Sequence, residues 1–146
     1  MHRVEPNELV GSIPPSLFDV QYLRTIILQN NELTGELFVL LRNESMIERL
    51  DITSNNFTGS IEFLSSLNML KEARLDNNML SGEIPSSIGE LTNLRVLTLG
   101  GNNFTGQMPD EICQLLTDEN LETLIADCGG IEPKVLCSCC TACLDE

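Results

Sequence analysis

The most reactive side chains of this 146-residue chain are six cysteines near its C-terminal end. They are Cys113, Cys128, Cys137, Cys139, Cys140 and Cys143. An even number of clustered cysteines favours a disulfide framework, although the sequence alone leaves the pairing open. We expect Cys113 and Cys128 to tie the preceding segment to the tail, with a third disulfide within or next to residues 137–143.

A metal site is the alternative interpretation of this tail. Zinc sites usually combine two separate Cys-x-x-Cys pairs, whereas Cys140-Thr141-Ala142-Cys143 overlaps at Cys140 with the one other stretch of that spacing, and no histidine lies nearby. Catalysis also has little to build on, because His2 is the only histidine and no phosphate-binding loop is present. We therefore predict that the protein is not an enzyme and holds no metal and no cofactor.

Three Asn-x-Ser/Thr sequons bear on the cellular compartment. They begin at Asn43, Asn56 and Asn103. N-linked glycans are added to exposed asparagines of secreted proteins, and disulfides persist in the same oxidising compartments. The sequence thus predicts an extracellular or cell-surface glycoprotein.

These residues are carried by a repeat whose most regular member is asparagine. The five positions, at steps of 24, 24, 23 and 24 residues, are Asn7, Asn31, Asn55, Asn78 and Asn102. Each lies in an apolar frame such as Leu94-x-x-Leu97-x-Leu99-x-x-Asn102-x-Phe104-x-Gly106. A fixed period of this length with this spacing predicts a leucine-rich repeat solenoid.

Simple stereochemistry explains the frame. The Leu-x-Leu pair is a short strand whose alternate side chains enter the core, and the asparagine offers a donor and an acceptor to the backbone of the following turn. We predict an α/β solenoid, a right-handed superhelix with a parallel β-sheet of about five strands on its concave face. Its convex side should be irregular or 3-10, with little regular helix, and its asparagine ladder should be buried.

The Leu-x-Gly-x-Ile-Pro segments identify a subclass. Leu9–Pro14, Leu80–Pro85 and, with methionine for isoleucine, Phe104–Pro109 resemble the plant-type leucine-rich repeat of receptor kinase and receptor-like protein ectodomains. Two coils have Phe38 and Glu62 in place of the proline, so their convex side stays open. The cysteine-rich ending resembles that of secreted repeat proteins of diatoms and related algae.

We divide the chain into a leucine-rich repeat array, residues 1–126, and a cysteine-rich C-terminal cap, residues 127–146. The array is expected to lack its N-terminal cap, because Asn7 belongs to a coil whose strand would lie before the first residue. At the other end the coil that begins at Leu94 is 27 residues long, and Gly129 stands where the next asparagine would be. We interpret this change as a finished C-terminal end.

Charge narrows the choice of partners. The formal net charge is −14, which argues against binding to nucleic acid or to anionic membrane surfaces. No stretch approaches the ~20 apolar residues of a membrane span.

Outward-facing strand residues form columns across the coils, and these columns contain the candidate contacts. One column reads Thr25, Arg49, Glu72, Val96, Thr123, and the next reads Ile27, Asp51, Arg74, Thr98, Ile125. Four neighbours form what we call the charged square: Arg49, Asp51, Glu72 and Arg74. Opposite charges alternate around it, either as mutually neutralising salt bridges or as a hot spot for a partner's carboxylates.

The candidate partner-binding residues are Arg49, Asp51, Glu72, Arg74, Asp76, Thr98 and Gly100. Gly100 and Gly101 leave a notch beside the square, which is either a seat for a bulky partner group or a requirement of the turn. We predict a non-catalytic module that recognises a protein or peptide, from the C-terminal part of a secreted or cell-surface protein.

Two alternatives stay open. One is the ligand-sensing ectodomain fragment of a plant-type receptor kinase, and the other is a structural wall, surface or ice-binding protein. The mixed columns disfavour the second, because ice or mineral binding would favour regular ranks of threonine.

Overall fold

The computed structural model describes residues 7–37, 46–118 and 120–145. In chain order the strands are Val10–Ser12 (β1), Thr25–Ile27 (β2), Glu32–Glu36 (β3), Arg49–Asp51 (β4), Asn56–Gly59 (β5), Glu72–Arg74 (β6), Met79–Glu83 (β7), Val96–Thr98 (β8), Asn103–Gln107 (β9), Thr123–Ala126 (β10), Val135–Leu136 (β11) and Ala142–Cys143 (β12). The helices of these residues are one α-helix, Asp110–Asp118 (α1), and the 3-10 helices Pro15–Asp19, Glu62–Ser66 and Ser86–Glu90.

The strands form two parallel sheets that run along the solenoid. The concave sheet has the order β12-β10-β8-β6-β4-β2, and the second sheet has the order β1-β3-β5-β7-β9-β11. The concave sheet is the predicted one, and its sixth strand comes from the cysteine-rich tail. The second sheet was not predicted, because we interpreted the segment after the ladder asparagine as a turn. In β9, however, Phe104 is buried between two exposed neighbours, as in a half-buried strand.

Apolar frame residues fill the space between the sheets and the convex side. In the central coil Leu70, Leu75 and Leu80 have no exposed surface. Each such side chain contributes about 1.5–3 kcal/mol relative to an exposed one. Because one coil cannot bury its apolar side alone, this stabilisation depends on stacking.

The asparagine ladder is buried at four of its five predicted positions. Relative exposures are 9, 7, 7 and 2% at Asn31, Asn55, Asn78 and Asn102. Asn7 departs from the prediction and is exposed. Among the described residues no coil lies beyond Asn7 to cover it.

Each buried asparagine connects neighbouring coils by hydrogen bonds. The Nδ2 group of Asn78 donates to the carbonyls of Ile52 at 3.0 Å and Leu75 at 3.2 Å. Its Oδ1 accepts the backbone N–H of Phe57 at 3.1 Å. These bonds satisfy backbone groups that the turn removes from the sheets.

At the last regular coil, a side-chain carboxylate accepts the hydrogen bonds that a backbone carbonyl accepts elsewhere. Asp127 is 6% exposed, and its oxygens accept the N–H groups of Gly101 at 2.8 Å and Asn102 at 3.2 Å. In earlier coils the equivalent acceptor is a carbonyl, as where Ser54 accepts from Asn31 and Asn77 accepts from Asn55. Asp127 thus satisfies two donors that would otherwise lose their partners.

The convex side differs between coils of different length. The coil with Glu62 in place of proline still forms a 3-10 helix, Glu62–Ser66, whereas Phe38 lies outside the described residues. The 27-residue coil has room for α1 instead, which follows Pro109 and carries two acidic residues in its first turn. Both features favour a helix N-terminus.

Candidate ligand-binding face

The concave sheet arranges the predicted columns in register. Parallel pairing joins Thr25, Arg49, Glu72, Val96 and Thr123 in one column, and Ile27, Asp51, Arg74, Thr98, Ile125 and Ala142 in the next. The columns are as the sequence predicted, except that the tail adds Ala142. A rigid sheet therefore fixes the spacing of every side chain on this face.

Within the charged square, Glu72 contacts both arginines. Its Oε2 is 3.5 Å from Nε of Arg49 and 3.5 Å from Nε of Arg74, and Nη2 of Arg49 is 3.8 Å from Oδ2 of Asp51. Within the described structure Nε of Arg49 has no hydrogen-bond partner, so its contact with Glu72 is an ion pair only. Half-exposed pairs of this kind contribute at most ~1 kcal/mol. Both guanidinium groups can therefore exchange Glu72 for another carboxylate at little cost.

Three of the predicted contact residues are not accessible. Asp51 is 2% and Thr98 5% exposed, and Gly100 is also buried. The Asp51 carboxylate instead accepts the backbone N–H of Thr53 at 3.2 Å. The accessible side chains of the square have exposures of 41, 32 and 39%, for Arg49, Glu72 and Arg74.

A second ion network lies at the edge of this sheet, at the residue before each strand. The carboxylate of Glu48 accepts hydrogen bonds from Nζ of Lys71 at 2.6 Å and from Nη1 of Arg24 at 2.5 Å. The bond from Lys71, followed by that from Arg24, lowers the pKa of the Glu48 carboxyl from its ordinary value. Sequence reasoning missed this column because we considered only positions inside the strands. Its alternating charges were the available signal.

All cations of the described repeat coils lie on this face. Each of the five is in a concave strand or directly before one: Arg24, Arg49, Lys71, Arg74 and Arg95. The strands of the second sheet carry Glu32, Glu36 and Glu83 and have no Lys or Arg. The concave face therefore carries these five cations, and acidic side chains such as Glu48, Glu72 and Asp76 lie between them.

The tail fills the notch at Gly100. A β-carbon placed on Gly100 would lie 2.2 Å from Cδ1 of Leu144, so this leucine covers the glycine. Leu144 itself is 42% exposed. Beside it, the Asp76 carboxylate accepts the Gly100 N–H at 3.2 Å and the hydroxyl of Thr98. The notch is thus occupied by the chain itself.

Gly101, in contrast, is a requirement of the turn. Its φ of +66° lies in the left-handed region, and a β-carbon there would meet Oδ1 of Asn77 at 2.3 Å. At the equivalent positions of earlier coils Asn30, Ser54 and Asn77 also have positive φ.

Three disulfides fix the tail against the array. They join Cys113 to Cys139, Cys128 to Cys143 and Cys137 to Cys140. The first fastens α1, and the second fastens β12 beside β10. The sulfurs of Cys128, Cys137 and Cys140 lie within 4.8 Å of one another, but each is bonded to a second sulfur. None is therefore available as the thiolate that a metal binds.

Comparison with known proteins decides the family. Residues 69–91 and 93–115 match the family model of the leucine-rich repeat. Receptor-like protein 39 of Arabidopsis thaliana is 35% identical over 130 residues, which are 86% of this chain and 15% of that protein. A chain of the BIR3–SERK2 complex from A. thaliana is similar with a TM-score of 0.69 at 31% identity, over 92% of this chain and 70% of that one. The chain belongs to the plant-type leucine-rich repeat family.

A larger solved leucine-rich repeat structure supports the same family assignment. A chain from the complex of the Arabidopsis receptor kinase HAESA with the peptide hormone IDA and the co-receptor SERK1 is similar with a TM-score of 0.73 at 32% identity. That similarity covers 84% of this chain and 20% of the other. The chain spans between 5 and 15% of the length of the curated relatives it matches.

Two predicted glycosylation sites lie on the second sheet of the leucine-rich repeats. Asn56 begins β5 and Asn103 begins β9, and both are exposed. Glycans there would leave the concave face open, and their presence stays a prediction. Asn43 and His2 lie outside the described residues.

Within the described ranges, no helix has the length and apolar character needed to cross a membrane.

A cleft on the convex side was missed by sequence reasoning. It has a volume of about 360 Å³ and lies between the 3-10 helix Ser86–Glu90 and α1. Glu90, Glu111 and Asp118 line it, and small-molecule sites are in contrast mostly apolar. Because its residues come from two different coils, no single repeat unit reveals it. The concave face is the better candidate.

Proposed function

We propose that this chain is a non-catalytic recognition module that binds a protein or peptide on its concave face, as part of a secreted or cell-surface leucine-rich repeat protein. The location of the cations carries this proposal, because all five cations of the described coils lie on or directly beside one rigid sheet. Arg49 and Arg74 each lie 3.5 Å from Glu72, and Arg49 also lies 3.8 Å from Asp51. Since guanidinium groups bind carboxylates in a bidentate manner, the partner is acidic or carries a free carboxylate.

The overall negative charge does not oppose such a partner at short range. Charges are screened over about 8 Å at physiological ionic strength. A carboxylate that contacts Arg74 therefore interacts mainly with the concave face, and the acidic side chains of the second sheet act on it weakly.

Solved structures of similar proteins support both a peptide and a protein as the partner. The HAESA complex contains a peptide hormone and a co-receptor, and BIR3 and SERK2 were solved as a complex of two proteins. The three disulfides and the exposed sequons support an oxidising, secretory location for this chain.

Selection from a random peptide display library on the purified chain tests the proposal. We expect the enriched peptides to be acidic, and Arg74→Gln to weaken their binding about tenfold, because a charge-assisted contact is lost. The matched control is Gln107→Glu in exposed β9, which lowers the net charge by the same one unit. Failure to enrich any peptide, or an equal loss in the two variants, would overturn the proposal.

A second candidate is the ligand-sensing ectodomain fragment of a receptor kinase. Pollen receptor-like kinase 2 of A. thaliana, 36% identical over 83 residues, favours it. Sequencing the complete transcript decides this point, because the kinase candidate requires a membrane span and a kinase domain in the same reading frame.

A further inference from the structure

We infer that the cysteine-rich cap supplies an apolar subsite of the concave face, and that the ligand is an extended peptide with an apolar side chain three or four residues away from a carboxylate. The inference rests on the proposed function and deepens it. We define the apolar subsite by its four residues: Val96, Ile125, Ala142 and Leu144.

The tail extends the binding face instead of merely covering its end. β12 pairs with β10 so that Ala142 lies beside Ile125 and continues its outward-facing column. Leu144 follows β12 and lies over Gly100, on the same side of the sheet as the Asp76 carboxylate. The subsite therefore borders the charged square on its C-terminal side.

The apolar subsite is exposed and also held in place. Val96 and Ile125 are half-buried, Ala142 is exposed, and 42% of Leu144 is accessible. The backbone N–H of Leu144 donates to the Ala126 carbonyl at 2.9 Å, and the Leu144 carbonyl accepts the N–H of Gly129 at 3.0 Å. Apolar groups fixed in this way can bind without the entropy loss of ordering a loose tail.

The spacing of the strands sets the spacing in the ligand. Arg74 is on β6, Ile125 is two strands away on β10, and Ala142 is three strands away on β12. At about 4.8 Å per strand, the distances across the sheet are about 10 and 14 Å. An extended peptide advances about 3.3 Å per residue, so three or four residues connect a carboxylate on Arg74 with an apolar side chain on the cap.

Substitution of Gly100 tests the position of the Leu144 side chain directly. The φ of Gly100 is not in the left-handed region, and the atom that an added β-carbon meets most closely is the tip of Leu144. Gly100→Ala should therefore displace Leu144 and leave the backbone unchanged. In a Leu144→Ala background the same change has nothing to displace.

The experiment applies peptides selected from the random display library to four forms of the chain: wild type, Leu144→Ala, Gly100→Ala and the double variant. We expect an apolar residue at the stated spacing from an acid, about tenfold weaker binding in Leu144→Ala, and a loss in Gly100→Ala that does not add to it. Leu136→Ala is the matched control, since Leu136 is 59% exposed on the second sheet and should not change binding. The melting temperature of every variant is measured in parallel.

The outcomes separate the two proposals. Enrichment of acidic peptides without an apolar partner, or unchanged binding in Leu144→Ala, overturns the cap subsite and leaves the proposed function standing. Additive losses in the double variant also overturn the subsite, because they show that the two positions act independently. If no peptide is enriched on the wild-type chain, the proposed function itself fails.

Discussion

Replacement of Asn55 by alanine should destabilise the fold severely. The side chain is 7% exposed and makes four hydrogen bonds. Its Nδ2 donates to the carbonyls of Leu28 at 2.9 Å, Ile52 at 3.0 Å and, weakly, Thr53 at 3.4 Å. Its Oδ1 accepts the N–H of Leu33 at 3.0 Å.

The magnitude follows from these bonds. Each neutral hydrogen bond contributes about 0.5–1.5 kcal/mol, and a buried donor left without an acceptor costs a further 1–3 kcal/mol or so. Three good bonds together with the stranded N–H of Leu33 give an expected loss of about 3–5 kcal/mol. That is a large part of the 5–15 kcal/mol or so that stabilises a typical domain.

Urea unfolding followed by circular dichroism, with the disulfides intact, measures the loss. Asn56→Ala is the matched control, because it makes the same substitution one residue later at an exposed position. Hydrogen exchange adds a local measurement, since only Asn55→Ala should deprotect the amide of Leu33. If the two variants differ by less than about 0.5 kcal/mol, the hydrogen bonds of the ladder do not hold the coils together.

Four further predictions concern charge and covalent chemistry. Arg74→Glu should change the free energy of unfolding by no more than ~1 kcal/mol, because its ion pair is half-exposed; a larger loss in urea unfolding would make the square a structural network. Ionised Glu48 should stabilise the fold above its unfolded pKa and lose that contribution as the pH falls through its lowered folded pKa. A carboxyl NMR titration should therefore give a Glu48 midpoint below 4.5 that rises in Lys71→Met, and an unchanged midpoint would refute the cause. Reduction should add six hydrogens to the intact mass for the three disulfides, whereas free thiols before reduction would contradict them. After expression through a secretory pathway, Asn103→Gln should remove one glycan by mass, and an unchanged mass would show that this site is not used.

The concave columns and the buried ladder were predictable because they depend on local rules. The Leu-x-Leu frame fixes which side chains face inward, and the period places equivalent residues side by side. The second sheet was not predicted, since the glycine near the end of most of its repeat segments, such as Gly82 with its positive φ, indicates a turn at first sight. The parallel neighbours that make it a strand lie in other coils.

The accessible part of the binding face needed the three-dimensional structure. Asp51 is an outward-facing residue, yet it is buried because its carboxylate turns to the backbone of Thr53. The filling of the Gly100 notch depends on Leu144, which is held there by the disulfide of Cys143 with Cys128 and by backbone hydrogen bonds to Ala126 and Gly129. Six cysteines allow many pairings, and the repeat frame contains no information about which one forms.

The short last strands of the two sheets have a consequence for self-association. β11 and β12 contain two residues each, so an incoming strand finds few unpaired backbone groups at that edge. Head-to-tail growth into a fibre requires two open edges on every molecule. The C-terminal end of the solenoid is therefore a poor template for such growth.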